Sequence, residues 1–417
     1  MQINKALLIS LVVLILALSR PLFSQQVDPI QLVESVPAET KLGIPETART
    51  LPVWLNLIGS ADRTIDMEVF YISNKQGEAL VQVIDALKTA ASRGVVIRII
   101  ADAKMAGTYP ETLEELNRLP NISVRRISYF DKLGGVMHAK YFVVDSKELF
   151  VGSQNMDWRA LQHIHELGVR ISNEKLAKLT ERIFNLDWEI AAGEEQLLPA
   201  ELPPIPPELR IDANNPLRLP VASGQEIVFY PTFSPQQAIF PGMEWDQTQI
   251  VKLMNEAKKR IEFQLLSYSP VSHREFFAAL DNAIRGAAAR GVRVRMILSN
   301  WNTRQPGIQY LKSLQVVPNI EVRISTIPPY SGGFIPYGRV EHCKYMVVDD
   351  TLAWIGTSNW SYSYFHTSRN LGLVFESGYI NSLVHKIFMK GWDSGYAAPL
   401  DLCKEYVPPD VGGSEGK

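Results

Sequence analysis

The chain has 417 residues, 46% apolar and 21% charged, values ordinary for a globular protein of two domains or one large duplicated one. Its formal net charge is −2; without residues 1–24, which hold Lys5, Arg20 and no acid, 40 basic residues face 44 acidic ones. That balance excludes a global basic field for nucleic acid, so any such contact has to be local.

Residues 6–18 form a run of thirteen, apolar except for Ser10, short of a usual membrane span. Residues 1–24 therefore read as a cleaved signal peptide, with an uncleaved anchor as the alternative; either way the catalytic part is exported. Residues 25–50 read as an irregular, proline-containing lead-in. A buried strand is predicted over 63–71, then a helix over 78–93 whose apolar spacing ends at Gly94, a suitable C-terminal cap. Another strand over 95–101, a short helix over 111–119 and a strand over 122–127 follow.

The same order then recurs: a strand over 260–268, a helix over 275–290, the cap Gly291 and a strand over 292–299. The offset is 197 residues at the Arg-Gly caps, and 198 between Pro120-Asn121 and Pro318-Asn319, as a duplicated αβ unit produces. Between the repeats, seven prolines from Pro199 to Pro220 suit an extended connector. The chain divides into a first half over 25–190, a connector over 191–224, a second half over 225–403 and a tail over 404–417 that reads as disordered.

Each half closes on the same unit, HAKYFVVDSKELFVGSQN at 138–155 and HCKYMVVDDTLAWIGTSN at 342–359, at an offset of 204. In both, Lys stands at +2, Asp at +7, Gly at +14 and Asn at +17 from the His. On an extended strand His138 and Lys140 share a face, and Asp145 begins a turn that brings Asn155 back beside them. His342, Lys344, Asp349 and Asn359 repeat the arrangement.

This is the HxKxxxxD pattern of the phospholipase D superfamily. The stretches QLVESVP, GSQNMDWRAL, GTSNWS and GWDSGY resemble its lysosomal, exonuclease-type branch. The resemblance implies an α/β fold, pseudo-duplicated, with two αβα-sandwich halves and the active site between them.

Phosphodiester cleavage near neutral pH needs a nucleophile, a proton donor and positive charge around the oxygens. Two imidazoles and two ammonium groups supply these, with no cofactor and no metal ligand set in the sequence. One His attacks phosphorus while the other protonates the leaving oxygen and then deprotonates water or alcohol. Lys140, Lys344, Asn155 and Asn359 would hold the phosphoryl oxygens. The resemblance assigns His138 as nucleophile and His342 as acid and base; the residues alone do not choose between them. Asp145 and Asp349, members of the motif, sit where a turn is expected and read as anchors. Position +28 is Glu166 after the first His and Asn370 after the second, so a carboxylate in one half only would orient one imidazole.

His163, His165, His273, His366 and His385 match no motif and read as surface or core residues. Cys343 turns away from the His342–Lys344 face and reads as a small buried residue; a bridge to Cys403 stays open. The aromatic run from Trp360 to Phe365 reads either as a base-stacking surface at the site mouth or as core. Asn121 and Asn359 match the glycosylation pattern, the latter inside the expected site. The substrate is either single-stranded nucleic acid, degraded from an end, or a glycerophospholipid. A binding protein with a lapsed site is the remaining reading.

Overall fold

A computed structural model describes residues 28–193, 202–221, 224–272 and 275–412. The expected signal peptide, His273 and part of the connector lie outside the described residues.

Two mixed sheets are laid out alike. In space the first runs Ala48–Arg49, Ile30–Ser35, Ile164–Ser172, Glu148–Gly152, Tyr141–Val144, Thr64–Val69, Val96–Asp102, Ile122–Ile127. The second runs Leu217–Pro220, Glu226–Ser234, Asn370–Glu376, Leu352–Gly356, Lys344–Val348, Arg260–Leu265, Arg293–Ser299, Ile320–Ser325, Ala397–Pro399. The parallel strands of each sheet come from the repeated αβ units, and the motif hairpin joins them antiparallel. Asp145 and Ser146, at φ 54° and 57°, make the tight first turn.

Tyr141–Val144 is apolar throughout because it is buried on both faces. Phe142 and Val144 pack with Trp54, Leu57, Val83 and Leu87 of the helices Thr50–Gly59 and Leu80–Ser92. Tyr141 and Val143 belong to the core shared with the helix Glu174–Ile190. Helices on both faces make each half the expected αβα sandwich. That second core continues without a break into the second half, through Phe229, Ile250 and Phe263. Each such side chain contributes about 1.5–3 kcal/mol on burial, so the halves share one apolar interior.

The two Arg-Gly caps end their helices as expected. Gly94 and Gly291 take φ 96° and 88°, and the next N–H, of Val95 or Val292, returns to Ala90 or Ala287. The repeated Pro-Asn pairs have a physical reason too: Asn121 and Asn319 are left-handed and donate their amides to the helix ends at Ala91 and Ala288.

Three segments are more ordered than the sequence implies. The lead-in holds the strand Ile30–Ser35, paired with Ile164–Ser172, because Ile30, Leu32 and Val33 have core to bury. The connector buries Ile205, Ile211 and Val221 and supplies the edge strand Leu217–Pro220. The tail, through 412, lies on the second half: Tyr337 N–H donates to the Val411 carbonyl at 2.8 Å, and Lys312 to that of Lys404 at 2.8 Å.

Candidate active site

Each catalytic-motif histidine hangs on the opposite half. Met137 bridges Arg369 in parallel, and the His138 N–H donates to the Arg369 carbonyl at 3.0 Å. In mirror fashion Val340–Glu341 pairs with Ile164 and His165, and the His342 N–H donates to the His165 carbonyl at 2.9 Å. Backbone pairing across the interface therefore fixes both histidines at the boundary between the sandwiches.

The rings are crossed in the same way. His138 Nδ1 lies 3.0 Å from Asn370 Oδ1, and His342 Nδ1 lies 2.7 Å from Glu166 Oε2. The Asn370 amide is oriented by its own bonds: its nitrogen donates to the Tyr364 carbonyl at 2.8 Å, and its oxygen accepts from Thr357 Oγ1 at 2.9 Å. Its oxygen thus faces the ring, so His138 donates from Nδ1 and leaves Nε2 as the acceptor nitrogen. On the other side Ser153 Oγ donates to Glu166 Oε2 at 2.6 Å. The carboxylate that follows His138 by 28 positions serves His342 instead. One-dimensional spacing carries no signal for that crossing.

Lys140 and Lys344 each donate Nζ to the carbonyl of the histidine two positions before, both at 2.6 Å. Burial pulls both lysines down: Lys344 to about 8, and Lys140 well below the usual range, with the Lys344 charge adding to it. Burial and the two lysines also hold both histidines well below their ordinary value. Burial raises Glu166 to about 8, against the pull of Lys344, Ser153 and Lys140. The side-chain oxygens of Asn155 and Asn359 are buried without a protein partner. The two lysines and two histidines lie close enough for their charges to act on one another, and such a buried cluster of nitrogen bases is a receptor for an anion with several oxygens.

The family description "Cardiolipin synthase, PLD-like domain" matches residues 54–188 and 250–392, both halves of this arrangement. The chain belongs to the phospholipase D-like family. Among similar family members, Phospholipase D Z of Dictyostelium discoideum is 32% identical over 389 residues, which cover 89% of this chain and 90% of that protein. The 5'-3' exonuclease PLD4 of Mus musculus is 31% identical over 408 residues, covering 89% and 79%. The 5'-3' exonuclease PLD3 of Homo sapiens is 30% identical over 416 residues, covering 91% and 83%. Phosphatidylserine synthase from Haemophilus influenzae Rd KW20 shares the fold, with a TM-score of 0.58 at 14% identity over 84% of this chain and 85% of that one.

The motif carboxylates of this phospholipase D-like chain stand apart from the reacting groups. Asp145 accepts the backbone N–H groups of Asp62, Arg63 and Thr64 at 2.7–2.8 Å, and Asp349 those of Lys258, Lys259 and Arg260 at 2.7–3.0 Å. Each carboxylate is spent on the start of a central strand and holds the motif hairpin to it.

Two buried cations escaped the sequence reading. His165 and Arg369 are themselves 204 positions apart and supply the carbonyls that receive His342 and His138. Arg369 makes a two-pronged pair with Asp187 at 2.6 and 2.7 Å. His165 lies between Glu34 at 2.8 Å and Glu341 at 2.6 Å. Burial opposes charge on His165, but Cys343, Glu341 and Glu34 outweigh it and lift the imidazole well above its ordinary range. Burial holds the Cys343 thiol up at about 12, so the negative charge comes from the carboxylates. His165, Glu341 and Cys343 would be near enough to share a metal ion, yet both ring nitrogens already face carboxylates. Cys343 is buried, Cys403 is exposed and both are free, so the open possibility of a bridge between them is not realised.

The aromatic run divides between both readings. Trp360 is fully buried core, Tyr364 sets its ring 4.8 Å from that of His138, and Tyr362 stacks on His366 with 37% exposure.

Proposed function

We propose that the protein is an exported phosphodiesterase working through a phosphohistidine on His138, and that it releases nucleotides from the 5′ end of single strands. The crossed supports carry the reading. An amide oxygen accepting from a ring N–H favours the imidazolium far less than a carboxylate in the same place. His138, held by Asn370, is therefore the ring that begins without a proton to give; the Glu166–His342 pair, whose carboxyl is raised to about 8, holds the proton that reaches the leaving oxygen through His342.

His138 Nε2 attacks phosphorus, the bond to the leaving oxygen breaks, and His342 gives that oxygen its proton. His342 then takes a proton from water, the hydroxide forms a bond to phosphorus, and the phosphorus–nitrogen bond breaks to restore His138. Charge on the non-bridging oxygens is met throughout by Lys140 and Lys344, with Asn155 and Asn359 completing the cradle. Asp145 and Asp349 act only by anchoring backbone.

Strand-end attack is supported by similarity to two proteins described as 5'-3' exonucleases. Comparable identity to Phospholipase D Z favours a second reading, phospholipase D or transphosphatidylase activity on glycerophospholipids. The test is a substrate panel. Stepwise mononucleotide release from linear single strands, and none from circular ones, is the expected result. Cutting of circles, or head-group release from phospholipid vesicles with no action on any strand, would overturn it.

A further inference from the structure

A row of rings leads outward from the proposed nucleophile. Phe70 lies 5.2 Å from His138 between ring centroids, Tyr71 lies 5.5 Å from Phe70, and Tyr71 stacks on Tyr109 at 5.0 Å. Tyr109 lines a cleft of about 660 Å³ between the halves, with Lys75 and Trp158 from the first and Phe334 and Tyr337 from the second. Lys75 Nζ sits 4.3 Å over the Trp158 ring, which puts a cation on the cleft wall.

Phe334 is 63% and Tyr337 41% exposed, so two large rings on one short segment are left without core to bury. That segment is held in place. The Tyr337 N–H donates to the Val411 carbonyl at 2.8 Å, Arg159 Nη1 to that of Pro336 at 3.1 Å, and Arg339 to those of Pro328 and Ala38 at 2.7 and 2.8 Å. Tyr337 also takes φ 57°, a left-handed conformation that costs a bulky residue energy and that glycine would adopt freely. A ring kept at a strained position, on a fixed segment and in solvent, has a use outside the fold.

We propose that this cleft is a base-stacking subsite for the single strand, set outward from the scissile phosphate by the Phe70, Tyr71 and Tyr109 rings. Phe334, Tyr337 and Tyr109 are its platforms, and Lys75 meets a neighbouring phosphate. The inference rests on the nuclease reading above and adds where the strand runs. Rings combined with a cation suit unpaired bases, whose faces stack without regard to sequence. The net charge makes such local contacts necessary, since no broad basic surface is available.

The test compares Phe334→Ala, Tyr337→Gly and their double variant, the glycine matching the left-handed backbone. Three substrates are used: a single-stranded oligonucleotide, bis(4-nitrophenyl) phosphate, which has no bases, and phospholipid vesicles. Stacking is worth about 1–3 kcal/mol per base, roughly 5- to 150-fold. The ratio of kcat/KM for the oligonucleotide to that for the small diester is expected to fall at least about tenfold in the double variant, mostly through KM. An unchanged ratio would overturn the subsite and leave the nuclease reading standing. Wild-type turnover of the small diester with none of any oligonucleotide would instead remove the reading beneath it. A fall seen only with phospholipid vesicles would assign the rings to lipid and overturn the proposal.

Discussion

Glu166 supports His342 from the opposite half at 2.7 Å, while Asn370, at the equivalent position, supports His138 at 3.0 Å. This single difference breaks the symmetry of the site, and pH is the way to read it. Burial, then the two lysines, hold His138 well below its ordinary value, so the nucleophile stays unprotonated into acid solution. The acidic limb of kcat/KM is therefore expected well below 6.5. Asn370→Asp would give His138 a carboxylate of its own, favour its imidazolium and move that limb to higher pH. An unmoved limb would show that His138 is not the group being titrated.

In the proposed mechanism the same asymmetry sets where a covalent intermediate would form. His342→Ala retains the nucleophile but lacks the acid and base, so a phosphorylated enzyme should accumulate from a substrate with a good leaving group. His138→Ala should show none. Intact-mass measurement after acid-free quenching reads both, and the reverse pattern would exchange the roles. Each variant is expected to lose at least about 10²-fold in kcat, the usual scale for proton transfer alone.

The repeat and most of its strands and helices were legible because each is written locally: caps, apolar runs and a motif copied at constant spacing. What escaped was everything that crosses the interface. Glu166 reads as a companion of His138 in one dimension and stands beside His342 in three. His165 matches no motif because its partners Glu34 and Glu341 lie 131 and 176 positions away. The strand Ile30–Ser35 was missed for a related reason, since its polar Glu34 points inward to meet His165.

A chelator at millimolar excess should leave the rate within about twofold, under ~0.5 kcal/mol on the barrier. In the proposed mechanism Lys140 and Lys344 supply the charge that a divalent ion would bring to the phosphoryl oxygens. Loss of activity restored by a divalent ion would count against the two-lysine cradle.

Arg369 tests the load on the interface. It and Asp187 are almost fully buried, so Arg369→Met leaves a carboxylate without its partner. The expected loss is about 3–5 kcal/mol of stability, a large share of what a domain possesses. Asp187→Asn with Arg369→Met should recover part of it. Chemical denaturation of the single and double variants measures the difference, and equal losses would mean that the ion pair is not the cause.

Lys344 should behave in the opposite direction. Burial lowers it from 10.5 to about 8, so the folded state disfavours a proton that the unfolded chain holds up to the higher value. Below about 8 the full cost of that charge is present, about 3 kcal/mol at 1.36 kcal/mol per unit. Between 8 and 10.5 the unfolded chain binds more protons, so stability rises with pH and the cost fades. Lys344→Met removes the charge but also its bond to the His342 carbonyl, worth about 1 kcal/mol. The variant should therefore be inactive yet melt higher than wild type at pH 7, with the gap closing as pH approaches 10.5. Inorganic phosphate should raise the melting temperature of the wild type and do much less for the variant. A variant that melts lower at every pH would show that Lys344 holds the fold together rather than straining it for the sake of an anion.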